Sequence, residues 1–178
     1  MKPKSFLNES GLYDYAVKAL GRHMRTEAEL RRLMHQRVEP GPPGDEIIAA
    51  VVGRLKEQRY LDDRSYAETY TRLRKENEKF GQRRVRQSLR QKGVSATLVD
   101  QTVSESYSNT NEEKLARAYL ERKRIARPAN EKDTARVMRR LVAAGFSTSV
   151  IYKILRQWNV PEESLSALDN VAEAPPEE

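Results

Sequence analysis

The sequence of 178 residues contains no cysteine and only two histidines, His23 and His35. Disulfides, thiol catalysis and the usual zinc sites are therefore excluded. No apolar run approaches the roughly 18 residues of a membrane-spanning helix, and the N-terminal segment MKPKSFLNES lacks the apolar stretch of a secretory signal. We therefore expect a cytosolic protein that uses no metal and no cofactor and does not associate with a membrane.

Strand patterns are also missing, and glycine and proline are scarce within the helical patterns. The eight glycines and eight prolines are concentrated between segments whose apolar residues recur every three or four positions. Only 38% of the residues are hydrophobic whereas 33% are charged, so one deep core is not expected. The composition favours an elongated, all-helical protein with thin local cores.

Basic residues are absent from residues 161–178, which contain six acidic residues. The net charge of +7 therefore understates the basicity of residues 1–160, where 33 basic and 20 acidic residues give +13. A charge of this size favours a polyanionic partner, either nucleic acid or a strongly acidic protein surface. Solvated charged faces on a helical protein would explain the same composition, and composition alone does not distinguish the two explanations.

The most informative stretch, residues 60–95, predicts where helices begin and end. Asp62 and Asp63 suit an N-cap and the first turn of a helix. Gly93 occupies the left-handed position that follows a helix, and Ser95 is placed to cap the next one. Apolar stripes run along the first two helices, formed by Tyr66, Ala67, Tyr70 and Leu73 and then by Val85 and Leu89.

The same pattern recurs along the chain. Tyr70 matches Tyr119 at an offset of 49 residues, whereas Gly93 matches Gly145 at an offset of 52, which indicates a three-residue insertion. An earlier copy aligns less well because of a proline-rich insertion at residues 40–44. Self-similarity with a period of about 50 residues is typical of stacked helical units.

We therefore predict an all-α fold, an elongated, curved array of three tandem three-helix repeats. The predicted boundaries are an N-terminal extension at residues 1–10, repeats at 11–59, 60–107 and 108–158, and an acidic, disordered tail at 159–178.

Local signals predict the helix starts of the first and third repeats. A first helix is expected at residues 11–25, and a capping-box pattern at 26–29 begins the second. Asp45 is expected to cap the third helix after the proline-rich loop, and a capping-box pattern at 110–113 begins the third repeat. The apolar residues expected to face inward in the first repeat are Tyr15, Ala16, Ala19, Leu20, Leu30, Leu33, Met34, Ile48, Val51, Val52 and Leu55.

A search for catalytic constellations finds none. The sequence has no glycine-rich phosphate loop. The paired carboxylates at residues 62–63 and 112–113 lie at predicted helix starts, where capping explains them better than acid–base chemistry. His23 and His35 have no partner acid or nucleophile nearby in sequence. We therefore predict that the protein is not an enzyme.

Basic residues are the better candidates for function. Arg83, Arg86 and Arg90 recur at helical spacing, so their guanidinium groups are expected to line one face. A helix dipole explains Lys92 alone well but not the recurrence of such faces, so we predict an extended basic binding track. The candidate binding residues are Arg72, Arg74, Lys75, Arg83, Arg84, Arg86, Arg90, Lys92, Arg136, Arg139 and Arg140, and the first repeat offers Arg31, Arg32 and Arg37.

These residues resemble the signature of the RecX family of regulators of the RecA recombinase. The resemblance covers residues 11–158, although the loop at 40–44 is long for the family and the acidic tail departs from it. The residues that carry it are Tyr60, Leu61, Asp62, Asp63, Tyr66, Ala67, Tyr70, Arg74, Gly81, Arg84, Val85, Leu89, Lys92, Gly93 and Val94. It implies a non-catalytic modulator that binds along the groove of the RecA–DNA filament and lowers RecA's ATPase and strand-exchange activity.

The expected partner is thus the RecA nucleoprotein filament, with direct contact to single- or double-stranded DNA left open, and the protein is expected to be a monomer. One alternative is a general DNA-binding protein built from helix-turn-helix-like modules that contact phosphates. Gln82 is the only amide beside the arginines at the start of that helix, which favours phosphate or protein contact over base reading. A helical scaffold without a nucleic-acid role is a second alternative, and binding that does not weaken with salt would indicate it.

Overall fold

The computed structural model describes residues 6–161 and Leu165. Within these residues the chain forms α-helices and no strand, so the all-helical prediction is confirmed. The helices are α1 (Glu9–Arg22), α2 (Glu27–His35), α3 (Pro42–Glu57), α4 (Asp63–Glu76), α5 (Gln82–Gln91), α6 (Ala96–Tyr107), α7 (Glu112–Arg122), α8 (Glu131–Ala143) and α9 (Thr148–Gln157). None of these helices is long and apolar enough to span a bilayer.

The helices form three triplets along the chain, as the repeat predicts, but the chain packs as two compact units. The first contains residues up to Tyr70 together with Leu89–Thr102, and the second contains Thr71–Ser88 and the residues from Val103 onward. The division passes through α4, α5 and α6, so the predicted repeat boundaries stay predictions, as do the elongation and curvature. The predicted tail lies outside the described residues except for residues 159–161 and Leu165, whose side chain is buried.

The core of the first unit is built by α1, α2 and α3. Its buried residues are Leu12, Ala16, Leu30, Met34, Val38, Ile48, Val51, Val52, Leu55 and Leu61. Seven of the predicted inward positions are among them, whereas Tyr15, Ala19, Leu20 and Leu33 are only half-buried. Leu12, four residues before Ala16 on the same face, was not predicted. The helix α1 begins at Glu9, two residues before the predicted start, because the Asn8 side chain caps it by accepting a hydrogen bond from the Gly11 N–H at 2.9 Å.

The start of α2 follows the prediction, and the start of α3 does not. Thr26 and Glu29 form the predicted capping box in full. The predicted cap at Asp45 is wrong, because α3 already begins at Pro42 with Gly41 as its N-cap. Proline is accommodated there because the first helical N–H groups need no intrahelical partner. Asp45 instead lies in the first turn, 3.6 Å from His35 Nδ1.

The core of the second unit is formed mainly by α7, α8 and α9. Its buried residues include Ala116, Tyr119, Leu120, Val137, Met138, Leu141, Phe146, Ile151, Ile154 and Leu155. The predicted capping box at residues 110–113 is wrong, because Asn111 caps α7 by accepting from the Lys114 N–H at 2.9 Å. Glu112 instead accepts from the N–H and hydroxyl of Ser147 at 2.7 and 2.8 Å, at the start of α9.

The middle triplet matches most of its predicted positions. Asp62 caps α4, since its carboxylate accepts from the N–H groups of Arg64 and Ser65 at 2.9 and 3.1 Å. Val85 and Leu89 are buried, as are Tyr66 and Ala67. The inward assignment of Leu73 is wrong, because its exposed fraction is 41% while Thr71 is fully buried.

The two predicted left-handed glycines are confirmed. Gly93 has a φ of 83° and Gly145 a φ of 90°. A Cβ on Gly93 would lie 2.3 Å from Ala28 Cβ on α2, and one on Gly145 would lie 2.3 Å from the Arg84 backbone nitrogen on α5. Each glycine turn therefore packs directly against an earlier helix, which leaves no room for a side chain.

The predicted three-residue insertion has a clear structural counterpart. The first helix of the triplet shortens from 14 residues in α4 to 11 in α7, while the second lengthens from 10 in α5 to 13 in α8. The connection grows from residues 77–81 to residues 123–130. The third triplet therefore has a longer non-helical segment after its first helix.

Candidate functional site

The start of α5 presents two exposed arginines in the second unit. Arg83 and Arg84 lie in the first turn of α5, which contains no acidic residue. Positive charge is unfavourable there because the N-terminal end of a helix carries partial positive charge. Within residues 6–161 neither guanidinium group has an ion-pair partner, and Arg84 Cζ lies 6.0 Å from the centroid of the Phe80 ring. The local structure therefore leaves these charges available to an anionic partner.

Two other candidates in the second unit already bind the end of α6. Arg86 donates to Gln82 Oε1 at 3.0 Å and to Ser104 Oγ at 2.8 Å. Lys75 donates to the Ser106 carbonyl at 2.6 Å, and its Nζ lies 5.2 Å from the Tyr107 ring centroid. Both side chains are half-buried. Their contacts therefore stabilise the packing of α6.

Arg72 and Arg74, at the end of α4, complete the candidates of the middle triplet within the second unit. Arg72 is exposed and lies 3.5 Å from Glu76 on the same helix. Arg74 is half-buried. An exposed pair of this kind contributes little to stability, so the Arg72 charge is open to exchange with a partner.

Two candidates of the first unit, Arg90 and Lys92, are paired with carboxylates. Arg90 Nη2 lies 3.0 Å from both carboxylate oxygens of Asp100. Lys92 Nζ lies 2.8 Å from Glu29 Oε1 and 5.9 Å from the ring centroids of Tyr66 and Tyr70. The hydrogen bond to Glu29 raises the pKa of Lys92, in spite of burial, which lowers it. Neither pairing was predicted from the sequence.

Of the candidate arginines on α8, Arg136 has a carboxylate partner and Arg139 has none in the part of the chain that the structure describes. Arg136 pairs with Asp133 on its own helix at 2.8 Å. Arg139 is exposed and has no ion-pair partner among the described residues. Burial raises the pKa of the Tyr119 hydroxyl, and the nearby charges of Arg140 and Arg84 lower it. In the second unit, Arg84 of α5 and Arg140 of α8 therefore lie near enough to Tyr119 for their charges to act on its hydroxyl.

We call the surface around this residue the Tyr119 patch. Its members are Glu78, Phe80, Arg84, Tyr119, Arg122, Lys123 and Arg140. The Phe80 and Tyr119 ring centroids are 6.3 Å apart, and Glu78 lies 3.6 Å from Arg122 and 3.5 Å from Lys123. Four cations around one carboxylate make the patch basic. Arg122 and Lys123 are not among the residues predicted from the sequence, although they belong to the basic run at residues 122–124.

The first unit contains a cavity whose lining carries charges of both signs. Its volume is about 760 Å³, and its charged lining is balanced: Glu27, Asp62 and Asp63 against Arg31, Lys56 and Arg59. Arg31 and Lys56 both pair with Glu27, at 2.8 and 3.0 Å. A lining without net charge does not attract a polyanion. Arg32 and Arg37 are exposed, and Arg37 Cζ lies 5.1 Å from the Tyr15 ring centroid.

Two carboxyl groups beside this cavity have pKa values shifted in opposite directions. Burial raises the pKa of Glu27, but hydrogen bonds from Lys56 and Arg31 outweigh it, so the net pKa is lowered. Burial raises the pKa of Asp63, and the Glu27 charge adds to this, although the Glu27 N–H donates to Asp63 Oδ1 at 2.8 Å. Within residues 6–161 no group of three metal-ligating side chains is placed to hold a metal ion.

Comparison with known proteins gives one consistent result. A family model described as RecX, second three-helix domain, matches residues 62–103. The regulatory protein RecX of Geobacillus thermodenitrificans is 30% identical over 165 residues, covering 90% of this chain and 60% of that protein. The regulatory protein RecX of Cronobacter sakazakii is 32% identical over 158 residues, covering 84% of this chain and 93% of that protein.

A crystal structure of regulatory protein RecX has a TM-score of 0.64 to this chain with 25% sequence identity, covering 84% of this chain and 71% of that one. These similarities define a class of all-helical regulatory proteins that contain three-helix domains. The chain belongs to the RecX family. It spans about 60% of the length of the Geobacillus relative.

Proposed function

We propose that this protein is a non-catalytic, cytoplasmic regulator that binds the RecA–DNA filament as a monomer and lowers RecA's ATPase and strand-exchange activity. Membership of the RecX family is the observation that carries the proposal, because the relatives are named regulatory proteins. The signature residues of that family imply RecA as the target. DNA recombination and repair are the processes that such a regulator would affect.

The exposed arginines of the second unit support this partner. A RecA–DNA filament presents DNA phosphates together with acidic protein surface, and Arg83, Arg84, Arg139 and Arg140 are exposed cations. An anion bound at the start of α5 would relieve the unfavourable placement of Arg83 and Arg84 next to the helix dipole. We assign the direct contact to these four residues.

The remaining candidates take a supporting role in this proposal. The exposed Arg90–Asp100 pair, like Arg72–Glu76, is open to exchange with a partner. Lys75, Arg86 and Lys92 are half-buried, however, and would have to give up internal partners to bind an external anion. Removing a buried or half-buried partner costs more than removing an exposed one. We therefore propose that they hold the helices in place, while Arg72, Arg74 and Arg136 add charge around the contact.

The contacts of the paired carboxylates support a non-catalytic role. Asp62 accepts hydrogen bonds from the first turn of α4, and Asp63 accepts one from the Glu27 N–H. Glu112 accepts from Ser147, and Glu113 pairs with Lys153 at 2.8 Å. Carboxylates engaged in this way hold helix ends in place and are poorly suited to transfer protons to a substrate.

The test is the single-stranded-DNA-dependent ATPase of RecA, titrated with substoichiometric amounts of this protein. We expect inhibition that saturates well below one molecule per RecA subunit, because repeated units contact successive subunits. The variant Arg83→Glu/Arg84→Glu should lose most of the inhibition. Lys18→Glu/Lys114→Glu is the matched control, since it changes the charge equally at exposed positions outside the assigned contact. Absence of inhibition by the wild-type protein at every ratio would refute the proposal.

A general DNA-binding protein is the second candidate, and the Tyr119 patch favours it because a basic side chain, Arg84, lies beside the half-buried ring of Phe80. Binding to duplex and single-stranded DNA without RecA, measured at two salt concentrations, distinguishes the two functions. Tight binding to bare DNA, without any effect on the RecA ATPase, would select this second candidate.

A further inference from the structure

An arginine-lined cavity lies at the end of α7 in the second unit. Its volume is about 390 Å³, and it is lined by Arg124, Arg127, Arg136, Arg140 and a single carboxylate, Asp133. The lining therefore has a formal charge of +3. Asp133 is paired with Arg136, whereas Arg124 and Arg127 have no carboxylate partner among the described residues. Ile125 and Val137 provide apolar lining.

A second cavity adjoins the first. Its volume is about 350 Å³, and Trp158, Leu120 and Ile125 contribute its apolar lining. Arg124, Ile125 and Ala126 line both cavities. Trp158 is half-buried. A cluster of guanidinium groups is thus adjacent to a space bounded by an indole ring.

Both cavities lie where the third triplet departs from the repeat. Because α7 ends three residues earlier than α4 would predict, residues 123–125 leave the helix at this point. The Ile125 N–H donates to the Leu120 carbonyl at 2.9 Å, and Arg124 has a φ of 51° in between. Left-handed geometry costs a residue other than glycine about 1–2 kcal/mol. Glycine would be less strained at this position, so replacing Arg124 with glycine removes the side chain without disturbing the turn.

We propose that the two cavities bind one nucleotide of a single-stranded nucleic acid. Its phosphate binds Arg124, Arg127 and Arg136, and its base lies against Trp158. Arginine forms strong, often bidentate hydrogen bonds to phosphate, and aromatic side chains stack on unpaired bases. A base-paired strand cannot place its base in the second cavity. An acidic protein side chain would fill the arginine cavity but leave the Trp158 cavity empty.

This inference rests on the proposed function in one respect, because it assigns a DNA contact to the regulator of a DNA filament. Trp158 is the only tryptophan in the chain, so the fluorescence of the unlabelled protein reports on this site. We expect oligo-dT to quench it in a saturable manner. The variant Arg124→Gly/Arg127→Ala should bind oligo-dT at least about tenfold more weakly, because two charged hydrogen-bonding groups are lost. The slope of log affinity against log salt should fall in magnitude by up to about 0.7, the value for one neutralised phosphate, because both arginines contact the same phosphate.

Arg59→Gly is the control for the Arg124→Gly substitution in this variant. Arg59 also has a left-handed φ, 57°, follows α3 in the first unit, and lines neither cavity. Both glycine substitutions relieve the same strain, so both proteins should fold, as far-UV circular dichroism would verify. Arg59→Gly should retain wild-type affinity for oligo-dT. Equal affinity of the two variants would overturn the inference.

Two further ligands distinguish the possible sources of negative charge. Inorganic phosphate should compete only weakly with oligo-dT, and an oligo-glutamate peptide should not quench Trp158. If the peptide quenches as strongly as oligo-dT and displaces it, the site binds acidic protein and the nucleotide assignment is wrong. If inorganic phosphate binds but oligo-dT does not, the assignment is also wrong. RecA inhibition by the wild-type protein is scored separately, so either proposal can fail while the other stands.

Discussion

Gly145 is the residue at which close packing is easiest to test. Its φ of 90° is left-handed, and a Cβ would lie 2.3 Å from the Arg84 backbone nitrogen. We predict that Gly145→Ala lowers the free energy of unfolding by more than about 2 kcal/mol, because left-handed strain of about 1–2 kcal/mol adds to a clash with backbone.

Urea unfolding followed by far-UV circular dichroism measures this effect. Gly53→Ala is the control, because Gly53 lies inside α3 with nothing within 4 Å of an added Cβ. That substitution should raise stability by about 0.5–1 kcal/mol. Equal unfolding midpoints for the two variants would contradict the packing described for Gly145.

The opposite pKa shifts of Glu27 and Asp63 predict opposite changes in the free energy of unfolding as the pH falls. The lowered pKa of Glu27 means that its ionised form stabilises the fold at neutral pH, and this contribution is lost as the pH falls through the folded pKa. The raised pKa of Asp63 means that its ionised form destabilises the fold at neutral pH, and this penalty is relieved as the pH falls through the raised pKa.

At pH 7 we therefore expect Glu27→Gln to be less stable than wild type, and Asp63→Asn to be at least as stable, since the amide oxygen can still accept from the Glu27 N–H. Both differences should shrink below about pH 4, where both carboxyl groups are protonated in the unfolded chain too. Urea midpoints between pH 3 and pH 7, an interval of about four units, provide the measurement. Differences that do not depend on pH would show that charge is not the cause.

Residues with one dominant local role were predictable from sequence. Gly93, Gly145 and the cap at Asp62 follow from backbone geometry and hydrogen bonding within a few residues. The caps predicted at Asp45 and at residues 110–113 were wrong because several neighbouring residues are able to cap a helix. Gly41, which two prolines follow, is the N-cap of α3, and Asn111 is the N-cap of α7.

At the scale of elements, a tyrosine holds α6 to the connection between α4 and α5 within the second unit. The Tyr107 hydroxyl donates to the Phe80 carbonyl at 2.7 Å, and burial raises its pKa far above the ordinary value. It therefore remains a hydrogen-bond donor at neutral pH. We predict that Tyr107→Phe lowers the free energy of unfolding by about 1–1.5 kcal/mol, because the carbonyl loses its partner.

Tyr60→Phe is the control for Tyr107→Phe, since 58% of the Tyr60 side chain is exposed. It should leave the unfolding midpoint within about 0.5 kcal/mol of wild type. Chemical denaturation of both variants in parallel gives the comparison. A wild-type midpoint for Tyr107→Phe would mean that the hydrogen bond to Phe80 contributes nothing to stability.

Partners that lie on other helices could not be predicted from sequence. The spacing of Arg83, Arg86 and Arg90 correctly placed them away from the buried face of α5, but Arg86 and Arg90 each bind a residue of α6. Helical periodicity gives the direction of a side chain and says nothing about what lies opposite. The insertion was predictable from the change of offset, whereas the two cavities beside it depend on where α7 ends.

At the scale of the whole molecule, the sequence period and the family signature predicted an all-helical RecX-type protein, and both are confirmed. The compact units nevertheless divide within α4, α5 and α6. A sequence period records which residues recur, while compactness depends on which side chains pack together. The two therefore need not share boundaries.

The proposed function requires that the RecA–DNA filament, and not bare DNA, is the preferred partner. Fluorescence anisotropy of the labelled protein measures this preference, with single-stranded DNA titrated either bare or coated with RecA at the same nucleotide concentration. We predict at least tenfold tighter binding to the coated strand, a difference of about 1.4 kcal/mol. Arg83→Glu/Arg84→Glu should lose this preference, and Lys18→Glu/Lys114→Glu should keep it. Equal or weaker binding to the RecA-coated strand would contradict the proposed function.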